Sequence, residues 1–213
     1  DCPELQRAGD SAPGGRGEGL SRPLLGMVLL SAFLTGGPCG PGFSHLTVLY
    51  TSAGFSSGTA ALLMSYLGLV LIAAKVLYGW LSDRLGSRMA NSLIFGVFLA
   101  GFALCCLAPT RSLPLAAAAI TLTGLGMPLS SVTLSVWAGD LSAPEDYDRL
   151  VKWLSSAYML GSLVTGPVPG LLADRFGGSY VPAYGLFLFF LLISMLLIQT
   201  VYRRTGVGGR PQR

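Results

Sequence analysis

The sequence predicts an all-α membrane protein with six transmembrane helices, and three observations carry that prediction. Of the 213 residues, 52% are hydrophobic and only 11% are charged, against about 25% charged in an ordinary soluble domain. Acidic and basic residues are absent from five long stretches, 23–74, 89–110, 112–139, 153–173 and 176–202. An eight-residue pattern also recurs where two of the apolar spans end, three spans apart. A hydrocarbon layer about 30 Å thick takes about 20 apolar residues of helix. The first stretch is long enough for two crossings and each of the others for one. A mean hydropathy of +0.62 agrees. A water-soluble enzyme, a nucleic-acid module and a secreted disulfide domain are excluded, and a formal net charge of +4 gives no reason to expect a nucleic-acid partner.

Taken in order, residues 1–22 carry seven charges and a Pro/Gly-rich stretch at 12–19. They bury too little apolar surface to offset ordering, so they read as a flexible linker. The spans are expected at 24–50, 57–82, 89–108, 113–138, 150–173 and 181–202. Runs of this length satisfy their backbone in lipid as helices, whereas barrel strands would be short and alternating. The first span holds four glycines and two prolines between Gly36 and Gly42, which predicts a broken helix. Such breaks mark solute sites in many transporters, and a plain kink is the other reading. If the N-terminus is cytoplasmic, every Lys and Arg lies on that side except Arg111, Arg175 and the intramembrane Lys75. Both ends are therefore expected in the cytoplasm. Cys2, Cys39, Cys105 and Cys106 show no metal or redox spacing and read as packing or tail residues.

The recurring pattern is Gly79-Trp-Leu-Ser-Asp83-Arg84-Leu-Gly86 and Gly170-Leu-Leu-Ala-Asp174-Arg175-Phe-Gly177. A three-span offset puts the copies on opposite faces, as an inverted three-plus-three repeat requires. Gly79 and Asp83 share a helix face, where the small residue would admit a neighbouring helix. Asp83 is expected to pair with Arg84, Arg88 or the next helix N-terminus, and Gly86 to turn the loop. A tight turn with solvated charges is the plainer alternative.

The run Gly79-x-x-x-Asp83-Arg84-x-Gly86-x-Arg88 resembles the signature loop of the major facilitator superfamily of secondary transporters. Lys75-Val-Leu-Tyr-Gly79 with Asp83, and Gly166-Pro167-x-x-Gly170-Leu-Leu-x-Asp174 followed by Gly178-Ser-Tyr180, are similar to the C-terminal half of its monocarboxylate and oxalate/formate branch. The resemblance covers residues 21–203 and implies one six-helix half of a major-facilitator fold. Residues 23–203 would form the lobe, 1–22 the remnant of a central loop and 204–213 a cytoplasmic tail. Asp1 is not an initiator methionine, which predicts a fragment or a processed chain; a six-span protein that dimerises is the alternative. The partners implied are the bilayer, a small organic anion, and a missing N-terminal half or a second copy. No cofactor is expected.

The implied function is alternating-access transport of small organic anions, proton-coupled or by exchange. In that branch a basic residue four positions before the signature glycine binds the substrate carboxylate. This points to Lys75, whose charge is costly in mid-membrane unless it faces a cavity or partner. Leu71 stands where some monocarboxylate carriers place an Asp. His45, Tyr66 and Tyr158 are further substrate-binding candidates, and Trp137 a cavity-lining one. Gly79, Asp83, Arg84, Gly86, Arg88, Gly170, Asp174, Arg175 and Gly177 form the gating set, with Gly161, Gly166 and Pro167 as pliable positions. A carrier of neutral solutes or drugs, and a non-transporting receptor or scaffold, are the competing readings. No P-loop, HExxH or GxSxG motif points to nucleotide use or enzymatic chemistry.

Overall fold

The computed structural model describes residues 20–207, and all regular structure among them is helical. Residues 1–19 of the expected linker and 208–213 of the expected tail lie outside the described residues, and Arg204 and Thr205 of that tail still belong to the last helix. The first crossing is α1 (Arg22–Gly37), a π-helical stretch Pro38–Gly42 and α2 (Leu46–Ser52). The second is α3 (Ser57–Leu85) and the third α4 (Ser87–Cys105). The fourth is α5 (Leu113–Gly126), a 3-10 turn Met127–Ser130 and α6 (Val132–Leu141). The fifth is α7 (Tyr147–Thr165) followed by α8 (Val168–Arg175), and the sixth is α9 (Val181–Thr205).

Helices Arg22–Gly42, Ser57–Leu85, Ser87–Cys105, Leu113–Ser130 and Val181–Thr205 are each long and apolar enough to cross a membrane. The fifth crossing is outside that set. Asp148, Arg149 and Lys152 occupy the start of α7, and the helix breaks at Gly166–Pro167. Several helices outrun the expected spans: α3 continues to Leu85, α6 to Leu141, and α7 starts at Tyr147. A charge-free stretch ends at the first charge. A helix does not, because its last turns carry charges out to the polar boundary.

The packing has the symmetry that an inverted repeat implies. Span 1 packs on spans 5 and 6, and span 4 packs on spans 2 and 3. Exchanging 1 with 4, 2 with 5 and 3 with 6 turns one statement into the other. Spans 3 and 6 pack on each other, and the interruptions of spans 1 and 4 touch; the exchange maps each of these contacts onto itself. The two interruptions share a Gly-x-Pro, Gly36-Gly37-Pro38 and Gly126-Met127-Pro128.

Small residues set the closest approaches. A Cβ on Gly161 would lie 2.7 Å from the Phe33 carbonyl carbon, and one on Gly36 would lie 2.6 Å from the Ser162 nitrogen. The α1–α7 seam is therefore backbone against backbone. In the α4–α5 seam, Gly101 stands in the same relation to Thr123. The core between α4 and α9 is aromatic: Phe102 packs edge-on against Phe98 and Phe187 and tilted against Tyr184. Ser31 and Ser194 exchange hydrogen bonds between α1 and α9, hydroxyl to hydroxyl at 2.7 Å and each to the other's carbonyl.

Candidate functional site

The second span presents most of the candidate residues. Ser56 caps α3, its hydroxyl accepting from the Thr59 N–H at 3.1 Å, which satisfies one of the free donors of the first turn. Ala60, Leu63, Leu67, Val70, Ala74 and Tyr78 recur at three- and four-residue spacing and form its buried stripe. The rest of the helix is uncovered in this lobe: Leu62, Leu69, Ile72 and Val76 are each about 70% exposed. Lys75 is exposed on the same uncovered surface. It lies ten residues before the end of α3, about 15 Å along the axis.

The substrate-binding candidates do not converge on one point. Tyr66 precedes Lys75 by nine residues, about two and a half turns, so the two leave α3 from opposite flanks. The Tyr66 hydroxyl hydrogen-bonds the Thr121 hydroxyl on α5 at 2.9 Å. His45 lies about 10 Å from the loop joining spans 1 and 2 and Lys75 about 27 Å from it, counted at 1.5 Å per residue. The His45 Nδ1–H donates to the Pro41 carbonyl at 2.9 Å, and the ring stacks on Tyr180 with centroids 6.0 Å apart. The same carbonyl already accepts the His45 backbone N–H at 3.0 Å, so the ring adds a further bond at the π-helical break. Tyr158 is half-buried on α7, its carbonyl against Gly36. Trp137 does not line a cavity: it is fully buried and stacks on Phe95 at 6.3 Å.

The gating loops are placed as a pair and packed differently from expectation. The copies cap spans 2 and 5 at opposite ends of the lobe. Gly86 has φ +80° and Gly177 φ +63°, backbone that L-residues adopt only at a cost, so both turn the chain, as anticipated for Gly86. A methyl group added at Gly79 or Gly170 would meet nothing within 4 Å; neither glycine admits a neighbour within this lobe. Arg84 turns its guanidinium over the Trp80 ring, 4.8 Å from the centroid, one turn back along the helix. Asp83, Asp174 and Arg175 are exposed and Arg88 half-buried. Gly161, anticipated as pliable, is instead the tightest packing position, and the break in span 1 is satisfied internally: the Tyr184 hydroxyl donates to the Gly42 carbonyl at 2.6 Å.

One group of polar side chains is not visible in the sequence as a group. Asp140 stands one residue beyond a charge-free stretch and reads there as a boundary. In the fold it ends a hydrogen-bonded line through Tyr202 and Asn91 to Tyr78, one turn from Lys75. Asn91, a carboxamide inside an apolar run, is the one signal of it that the sequence holds.

The chain matches the family profile of the Major Facilitator Superfamily over residues 21–212. It is similar to monocarboxylate transporter 12 of Rattus norvegicus and of Homo sapiens, 28% identical to each over 162 residues, which is 75% of this chain. The same-named protein of Xenopus laevis is 25% identical over 189 residues, 84% of this chain and 39% of its own length. The matched region makes up 33% of the rat protein and 31% of the human one, so the chain spans about a third of the length of these relatives. With an inverted six-helix arrangement and a profile match across nearly every described residue, the chain belongs to the major facilitator superfamily.

Proposed function

We propose that this chain is the C-terminal lobe of a secondary carrier for small organic anions, such as monocarboxylates or oxalate and formate. It would work by alternating access against a second six-helix lobe. The observation that carries the reading is Lys75: a cation deep in an apolar span, exposed on the uncovered side of α3. A charge in that position is stabilised by a wet cavity or an anionic partner, and the relatives' printed names supply the anion class. The second wall of the site belongs to the other lobe, whether a missing N-terminal half or a second copy. The Asp83–Arg84–Arg88 loop and its counterpart at Asp174 and Arg175 would steady one facing state. Both ends of the chain lie in the cytoplasm on this reading, following the Lys and Arg distribution. Coupling is to a proton or anion gradient, as symport or exchange.

The test is Lys75→Met and Lys75→Arg in the complete carrier reconstituted in vesicles. Removing a charge-assisted hydrogen bond of about 1.5–3 kcal/mol raises KM about ten- to hundredfold. Arginine retains the charge and recovers most of the uptake. Carboxylate uptake by Lys75→Met at the wild-type KM removes the anion reading and turns attention to neutral solutes.

A further inference from the structure

Four side chains from four spans form one hydrogen-bonded line near the end of the lobe that carries residues 22 and 205. The Tyr78 hydroxyl on α3 donates to Asn91 Oδ1 on α4 at 2.7 Å. The Asn91 amide Nδ2 donates to the Tyr202 hydroxyl on α9 at 3.2 Å. The Tyr202 hydroxyl donates to Asp140 Oδ2 on α6 at 2.7 Å. Tyr78, Asn91 and Tyr202 are fully buried and Asp140 half-buried.

All three bonds run in one direction, toward the carboxylate. An ionised carboxylate only accepts, so Asp140 obliges Tyr202 to donate. The Tyr202 oxygen is then free to accept from the Asn91 amide, which leaves the Asn91 carbonyl for Tyr78. Reversing any link would set donor against donor or acceptor against acceptor. Charge-assisted bonds are about twice as strong as neutral ones, and bonds in series in a poorly screened interior reinforce one another. A carboxamide does not pass a proton on, so the line holds geometry and does not conduct protons.

We propose that this line is a positioning device for Lys75, and the proposal rests on Lys75 being the anion-binding group. Tyr78 follows Lys75 by three residues, one turn of α3. It is the polar member of the buried stripe, and its hydroxyl bond fixes the angle of α3 within one turn of Lys75, whereas the Tyr66–Thr121 bond does so more than two turns away. A rotation of about 20° would carry an extended lysine ammonium about 3 Å sideways, from a Cα radius of about 2.3 Å and its stem. Tyr78, Asn91, Tyr202 and Asp140 are thus positioning residues acting through Lys75.

The experiment is a set of cycles in the complete carrier, measuring KM and kcat for a monocarboxylate. Tyr78→Phe, Asn91→Leu and Asp140→Asn are made alone and on the Lys75→Met background. Each single change raises KM about three- to tenfold, the effect of one ordinary hydrogen bond, with kcat unchanged. On the Lys75→Met background Tyr78→Phe adds nothing to KM. Where uptake by Lys75→Met is too slow to fit, the anion-induced rise in melting temperature gives the same comparison. A Tyr78→Phe protein that melts lower at an unchanged KM overturns the proposal, as does an equal KM increase in both backgrounds. An unchanged KM for Lys75→Met alone is a different result: it removes the anion reading on which the device depends.

Discussion

Replacing Gly161 with alanine should damage the lobe more than any other single methyl added to it. The added carbon would sit 2.7 Å from the Phe33 carbonyl carbon and closer still to its oxygen. Carbon pairs rest at about 3.5–4.0 Å, so α1 and α7 must part by about 1 Å. Both partners are backbone, and no side-chain rotation relieves the overlap. Overpacking of this kind costs about 1–3 kcal/mol. At about 2–4 °C per kcal/mol for a chain of this size, the melting temperature falls by about 2–12 °C. Gly36→Ala strikes the same seam from the other side, against Tyr158 and Ser162. Once the helices have separated for one methyl, the second costs less, so the double variant falls short of the sum. Gly170→Ala is the control, with nothing within 4 Å. The assay is thermal unfolding of the purified protein in one detergent, followed by intrinsic fluorescence. A Gly161→Ala protein that melts with Gly170→Ala, or a double variant that is strictly additive, would refute the backbone-to-backbone seam.

Three further outcomes follow from particular contacts. Tyr66→Phe removes only the 2.9 Å bond to Thr121. It should cost about 1 kcal/mol or less and leave the carboxylate KM unchanged, since Lys75 leaves the opposite flank; uptake kinetics decide it. Arg111 has φ +54° and donates from Nε to the Ala53 carbonyl at 2.9 Å, joining two loops. Arg111→Gly loses the bond but relieves a left-handed backbone cost of about 1 kcal/mol. It should therefore melt above Arg111→Ala, measured side by side. Ser31→Ala removes the hydroxyl-to-hydroxyl bond but leaves the Ser194 hydroxyl its bond to the residue 31 carbonyl, and the double alanine variant removes that bond as well. The single variant should therefore lose about 1 kcal/mol or less and the double variant more, and unfolding midpoints check the order.

Which parts of this molecule can be read from a string of residues depends on the range of the physics involved. The six crossings are legible because Arg and Lys are expelled from lipid locally, so gaps in charge mark spans directly. The Gly86 turn is legible because a glycine after a charged pair at a span end has few other uses. Packing glycines are not. Gly79 carries a recognisable motif and a methyl there would meet nothing, while Gly101 carries none, Gly36 and Gly161 stand out only as flexible positions, and all three set the helix separations. Their role depends on which residue stands opposite, and Gly36 meets Ser162 only after the chain has turned back four times. Sequence adjacency makes Arg84 an ion-pair partner of Asp83; the aromatic face of Trp80 one turn back takes the guanidinium instead. Of the site, Lys75 is legible from the cost of its charge. The line from Tyr78 to Asp140 is not, because its members come from four separate spans.

Interleaving of the two triplets also has a consequence for how the protein is made. Span 1 finds its main partners in spans 5 and 6, and span 3 in spans 4 and 6. Asn91 is separated from Tyr202 by 111 residues, and Ser31 from Ser194 by 163. At about 5–20 residues per second, a ribosome needs roughly 6–22 s to deliver the first partner and roughly 8–33 s to deliver the second. For that interval the first three helices stand in the bilayer with the Asn91 amide Nδ2 and the Ser31 hydroxyl still lacking their partners. Span 1 therefore reaches its packed place only after the fifth and sixth spans have emerged.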